Sequence, residues 1–219
     1  MIILGPDELI DTPLAWPVDS SAVLARGAIT SYVQDRVRMP DGSLITREYL
    51  EHPGAVGVIA LDDHDRVALV RQYRHPVRHR LIEPPAGLLD VGGEDYLPAI
   101  QRELAEEAGL AAGRWAVLVD LFTTPGILGE SLRIYLARDL EAVDDPDNFT
   151  REGEEAHMDV VWASLDDLVE AVLRGRLHNP TLVSGVLAAW SARQRDRFVS
   201  LRSATAPWPS HEAIRTSGP

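Results

Sequence analysis

Cysteine is absent from the 219-residue sequence, which excludes a disulfide framework and any thiolate-ligated metal site. Lysine is absent as well: all 21 basic residues are arginine. Any charged grip on an anion must therefore use the planar, bidentate guanidinium fork. Positive charge is scarce overall. The formal net charge of −13 argues against a nucleic-acid or anionic-membrane surface. No stretch approaches the roughly 20 apolar residues of a membrane-spanning helix. The opening MIILGPDELIDTP has neither the basic start nor the long apolar run of a secretory leader. A cytoplasmic protein without membrane or nucleic-acid partners is expected. The seven histidines are scattered and show no His-x-x-His or His-Glu-x-x-His spacing, so zinc is poorly supported.

What is present suits one globular domain with an appended subdomain: 45% of residues are hydrophobic and 25% charged, enough to bury a core. Up to about residue 50 the chain reads as β-structure, with Ala22–Met39 and Leu44–Tyr49 as hairpin partners around the Pro-Asp-Gly turn. Two apolar strands, about 55–61 and 67–73, flank an acidic turn. A helix from about Tyr96 to Ala108 follows a glycine-rich loop, with Gly109 as its C-cap. Further strands are expected near Trp115–Phe122, Leu132–Ala137 and Met158–Trp162. The polar, acidic stretch between the last two reads as a long surface loop. Ser164-Leu-Asp-Asp167 is a capping box opening a helix to about Arg174, and Asn179-Pro180 opens another to about Arg195. Strands mixed with three helices indicate an α+β or α/β/α layered fold. The expected organisation is an N-terminal antiparallel β-region over 1–50, a main domain over 51–197 and an extended tail over 198–219.

Within QRELAEEAGL, residues 101–110, Glu103, Glu106 and Glu107 crowd one helical face. Like charges three or four apart cost an isolated helix roughly 0.2–0.5 kcal/mol per pair. Leu97, Ile100, Leu104 and Ala108 form an apolar stripe beside them, so the carboxylates are held at the edge of a buried face. Arg102 adjoins the trio and Glu94 precedes it in a glycine-rich loop. Hard divalent cations take oxygen ligands, and magnesium completes its shell with waters and substrate phosphates. A rigid carboxylate cluster beside a glycine-rich loop fits that demand.

The stretch GLLDVGGEDYLPAIQRELAEEAGL, Gly87 to Leu110, resembles the signature of the Nudix hydrolases: a glycine, five residues, a glutamate, seven residues, then Arg-Glu-apolar-x-Glu-Glu-x-Gly-apolar. From Glu94 onward every fixed position matches, through Arg102, Glu103, Leu104, Glu106, Glu107, Gly109 and Leu110. Six residues rather than five separate Gly87 from Glu94, the extra one beside Gly92-Gly93, where the backbone can absorb it. The resemblance implies an α/β/α sandwich around a mixed sheet and hydrolysis of a nucleoside diphosphate derivative with magnesium or manganese. It also implies Glu103 and Glu107 as metal ligands, Glu106 as ligand or bridge, the Ala86 carbonyl as a further ligand, and Arg102 orienting the glutamates.

Features outside that motif resemble the ADP-ribose pyrophosphatase branch, over about residues 20–195. Pro125 lies 15 residues after Leu110, and RQYRHPVRHRLIEPPAG leads into the motif. By position the resemblance makes Arg74 and Glu83 substrate contacts, and Arg71 is expected to help Arg74 fix the diphosphate. It implies an N-terminal β-region exchanged across a homodimer, with Arg47 standing where some relatives carry an adenine-stacking tryptophan. Water would attack one phosphorus of ADP-ribose, giving AMP and ribose 5-phosphate. Glu154 would be the general base, with Glu152 or Glu155 as alternatives and His157 nearby. Other nucleotide sugars or dinucleoside polyphosphates, and a non-catalytic nucleotide sensor, are the rival readings.

Overall fold

The computed structural model describes residues 2–143 and 159–216. The chain divides into two compact units. One comprises Met1–His52, Gly126–Gly129 and Trp208–Pro219; the other comprises Pro53–Pro125 and Glu130–Pro207.

The first unit is built on three antiparallel strands, β1 (Val18–Arg26), β2 (Ser31–Arg38) and β3 (Leu44–Glu51). The long run expected to form one strand from Ala22 to Met39 is broken in two: Gly27 donates its N–H to the Thr30 carbonyl at 2.8 Å and turns the chain. Alternation alone cannot place such a reversal, because both arms share a period of two. The β2–β3 turn falls on the Pro-Asp-Gly stretch, where Gly42 has φ +84 and the Asp41 carboxylate accepts the Ser43 N–H at 2.9 Å. Tyr49 donates its hydroxyl to the buried Asp35 at 3.0 Å.

The second unit holds an eight-stranded sheet whose main path runs β11-β5-β4-β10-β8-β12. Its strands are β4 (Ala55–Leu61), β5 (Arg66–Arg74), β6 (His79–Glu83), β7 (Ala86–Leu88), β8 (Leu110–Phe122), β10 (Ser131–Ala142), β11 (Asp159–Ser164) and β12 (Arg202–Ser203). In chain order β9 (Leu128–Gly129) belongs instead to the first unit, parallel to β3. β6 pairs with β5 and β7 with β4. The β4–β10 pairing is parallel and the others are antiparallel. This is the mixed sheet expected.

Helices cover both faces, as in an α/β/α sandwich. Ile59, Leu61, Leu132, Ile134 and Leu136 meet Leu165 and Leu168 of α2 (Leu165–Leu173) and Leu182, Val186 and Ala189 of α3 (Pro180–Asp196) in one buried cluster. α1 (Tyr96–Ala108) lies against the opposite face over β4, β7, β8 and β5. The close approach of α3 needs glycine: a Cβ on Gly185 would stand 2.8 Å from Ile59 Cδ1.

Local signals set the helix starts. Ser164 Oγ accepts the Asp167 N–H at 3.1 Å, and Asn179 Oδ1 accepts that of Leu182 at 2.9 Å. Strand lengths depart from expectation. β8 begins at Leu110 rather than Trp115 and β10 continues to Ala142, because each supplies the other's backbone partners, down to Ala142 opposite Leu110. The stretch read as an extended tail carries β12, paired with β8, and the helix α4 (Pro209–Thr216). Among the described residues no helix is long and apolar enough to cross a membrane.

Candidate active site

α1 is the platform. Ala99, Ile100 and Leu104 are buried, which fixes the helix rotation and leaves Arg102, Glu103, Glu106 and Glu107 at the rim of the buried face. Gly109 ends the helix in the left-handed region at φ 64, its N–H returning to Ala105 and Leu104 carbonyls, a conformation glycine adopts without a Cβ penalty.

Arg102 gathers three carboxylates. Its Nη1 donates to Glu103 Oε1 and to Glu106 Oε2, both at 2.9 Å. Its Nη2 and Nε donate to Glu94 at 3.2 and 3.3 Å. The Glu94 bond first, and the charges of Glu103 and Glu106 with it, raise the Arg102 pKa above its ordinary value. Gly93 at φ +86 lets the loop fold back so that Glu94 reaches Arg102 despite the extra residue.

The other motif residues come from the turn before the loop. A Cβ on Gly87 would stand 2.2 Å from Glu103 Oε1, so the glycine leaves room for that carboxylate against the strand. The Ala86 N–H donates to Glu107 Oε2 at 3.0 Å, bracing β7 against the helix end. The donor set is all oxygen, which suits a hard divalent cation such as Mg2+ or Mn2+, and the glutamates and the Ala86 backbone lie together. Among the described residues, no three side-chain ligands already converge on one point. Here Glu103 and Glu106 are turned to Arg102, and Glu107 to the Ala86 amide.

Arg74 and Glu83 form a bidentate pair across β5 and β6, Nη2 to Oε2 at 2.7 Å and Nε to Oε1 at 3.0 Å. Glu83 is 3% exposed, while nearly half the Arg74 side chain faces solvent. A buried carboxylate thus aims a guanidinium outward. Arg71 is placed differently: it shares Asp159 Oδ2 with Arg80, at 2.8 and 2.6 Å. Arg47 lies in the first unit, exposed, bonded to the Thr46 carbonyl. Glu152, Glu154, Glu155 and His157 lie outside the described residues.

Residues 51–183 match the NUDIX domain. The chain belongs to the Nudix family. It is 47% identical over 169 residues to an ADP-ribose pyrophosphatase of Mycobacterium tuberculosis, spanning 77% of this chain and 80% of that one. It is 31% identical over 160 residues to a methanol dehydrogenase activator of Bacillus methanolicus, spanning 73% and 84%. Among solved structures, one titled as an ADP compounds hydrolase superposes with a TM-score of 0.69 at 19% identity, covering 86% of this chain and all of that one. That last likeness concerns the fold alone.

Sequence reasoning missed Asp120, Arg133 and Arg202. Arg133 is fully buried and bonded to Asp120, yet in SLRIYL it reads as the outward member of an alternating strand. Only the covering of both sheet faces reveals it.

Proposed function

We propose that this Nudix protein hydrolyses ADP-ribose to AMP and ribose 5-phosphate. Water adds through oxygen to one phosphorus of the diphosphate, and the bond from that phosphorus to the bridging oxygen breaks. The bridging oxygen leaves on the second phosphate, and the water's protons pass to the base and to solvent. Glu103, Glu106, Glu107 and the Ala86 carbonyl would hold Mg2+ or Mn2+, which when bound supplies charge neutralisation at the phosphoryl oxygens.

The observation that carries this reading is the carboxylate cluster on α1, held to one rim by Arg102 and by the Gly87 close approach. The name of the relative at 47% identity supports the choice of ADP-ribose. Arg74, aimed outward by Glu83, binds the diphosphate by charge and position; Arg71 and Arg47 make further substrate contacts. Glu154 is the proposed base. The protein acts in the cytoplasm as a homodimer, a reading supported by the exposed apolar residues Ile2, Ile3, Leu9, Ile10 and Leu14 ahead of β1, surface that a second copy would remove from water.

Product analysis with ADP-ribose tests the proposal, with and without Mg2+ and after Glu107→Gln. AMP and ribose 5-phosphate should form only with the cation and nearly vanish in the variant. Preference for a nucleoside triphosphate across a substrate panel overturns the ADP-ribose assignment. Tight binding without product overturns catalysis.

A further inference from the structure

Arg133 is a fully buried arginine that the chemistry above does not use. It stands on β10 opposite Asp120 of β8. Its neighbours Leu132 and Ile134 point into the α2–α3 core, so by strand alternation Arg133 faces the α1 side of the sheet. The register row Gly87, Val56, Arg133, Asp120 crosses four strands, which puts Arg133 two strands, about 10 Å, from the glycine beneath Glu103.

Beside Tyr135 on its own strand, its guanidinium engages two distant segments. Nε and Nη2 donate to the two Asp120 oxygens at 2.8 and 3.0 Å. Nη1 donates to the Ala206 carbonyl at 2.7 Å and Nη2 to that of Pro207 at 2.9 Å. Arg202 Nη1 adds a bond to Asp120 Oδ2 at 2.7 Å, beside the short β12–β8 pairing. Closing a sheet face needs only apolar volume, and an apolar replacement for a buried ion pair is often neutral or better. What a planar fork adds is orientation.

The orientation matters because of where these segments lie. The row Leu88, Ala55, Leu132, Leu121 marks one end of the sheet. Both the glycine-rich loop after β7 and the loop 123–130 leave the sheet at that end. Asp120 and Arg133 face each other just inside the base of the 123–130 loop, and Thr123 is hydrogen-bonded to Glu130 across its mouth.

We propose that Arg133 is a positioning residue: by holding Asp120 and the Ala206 and Pro207 carbonyls in one fork, it ties the 202–207 segment to the ends of β8 and β10, where Thr123 meets Glu130, and fixes those strand ends for binding of the nucleoside diphosphate. The role in binding rests on the function proposed above, with the ends of β8 and β10 at the same end of the sheet as the strand that leads into the glycine-rich loop.

Hydrogen exchange and steady-state kinetics on the full-length protein test it, with Arg133→Met, Arg133→Lys and Arg202→Ala. Arg133→Met should lose protection in 120–133 and 202–207 together and raise KM for ADP-ribose about tenfold or more, with half-saturating Mg2+ unchanged within twofold. Arg133→Lys, which keeps the charge but not the fork, should not restore KM. Arg202→Ala, at a half-exposed side chain, should move exchange and KM the same way by a few-fold, and carries the test if the Arg133 variants do not fold. Release of 202–207 with 120–133 still protected, or with KM unchanged, overturns the proposal. If the wild type does not cleave ADP-ribose, the functional reading fails; the paired exchange still decides whether the fork couples the two segments.

Discussion

Arg102 and Arg133 each set a guanidinium against acidic side chains on the same side of one sheet, three for Arg102 and one for Arg133, in opposite settings. Arg133 is fully buried, faces one carboxylate squarely, and donates also to two backbone carbonyls. Arg102 is 37% exposed in its side chain and shares itself among Glu94, Glu103 and Glu106, while Glu107 turns to an amide. In the first case the guanidinium joins acceptors on two distant segments, and the group works as a fastening. In the second, three carboxylates gather round one guanidinium, a net negative surplus that attracts a further positive charge. The balance of partners, rather than the presence of an ion pair, separates a structural arginine from one in a reactive site.

The largest expected effect tests the surplus. Glu107→Gln keeps an oxygen for the Ala86 N–H but removes a charge, so turnover of ADP-ribose should fall about 10²–10³-fold while the melting temperature stays close to wild type. Activity retained at tenfold or better would take Glu107 out of the site. Next comes the fastening. Arg133→Met leaves Asp120 under-compensated and should cost about 3–5 kcal/mol, which for a chain of this size lowers the melting temperature by roughly 6–20 °C. A melt within two or three degrees of wild type would show that the buried fork is not a fastening.

Arg102→Ala sharpens the comparison from the other side. At a partly exposed site the lost pairs are worth only about 0–1 kcal/mol of stability. The glutamates then lose the cation that offsets their mutual repulsion, and half-saturating Mg2+ should rise about 10–100-fold. Equal losses of stability in the Arg102 and Arg133 variants would contradict the distinction.

The smallest effect concerns Asp62, at the acidic turn. Burial alone would raise its pKa, but N–H donation from Arg66 and His64 and the Arg66 guanidinium outweigh it, and the pKa is lowered. A depressed folded pKa contributes stability above the unfolded value near 4. That stability is lost as pH falls from there through the folded value. Asp62→Asn should therefore narrow its stability gap to wild type between pH 7 and pH 3 in urea titrations. A gap independent of pH would show that the carboxylate charge contributes nothing there.

Local physics made much of this protein legible before any coordinates. The acidic trio and its apolar stripe follow from 3.6 residues per turn. The helix starts at Ser164 and Asn179 follow from caps that act over three residues, and the turn at Gly42 from a left-handed backbone. Spacing alone also told that the carboxylates of α1 share a rim. Strand ends were not legible in the same way. β8 starts at Leu110 and β10 ends at Ala142 only because each meets the other, and no pattern in a single strand records its partner's length.

Sequence by itself therefore determined the helix, its glutamates, the glycine that makes room for Glu103 and the family to which they belong. Tertiary structure alone decided that Arg133 is buried, that Glu83 aims Arg74, that Asp159 engages Arg71, and that residues 202–207 are bound to the sheet rather than free. The reason is range: caps and helical faces are fixed by neighbours three or four residues away, whereas these ion pairs join different strands, 9 and 13 residues apart for Arg74–Glu83 and Arg133–Asp120 and 88 for Arg71–Asp159, and the Arg133–Ala206 bond spans 73, contacts that only folding brings together.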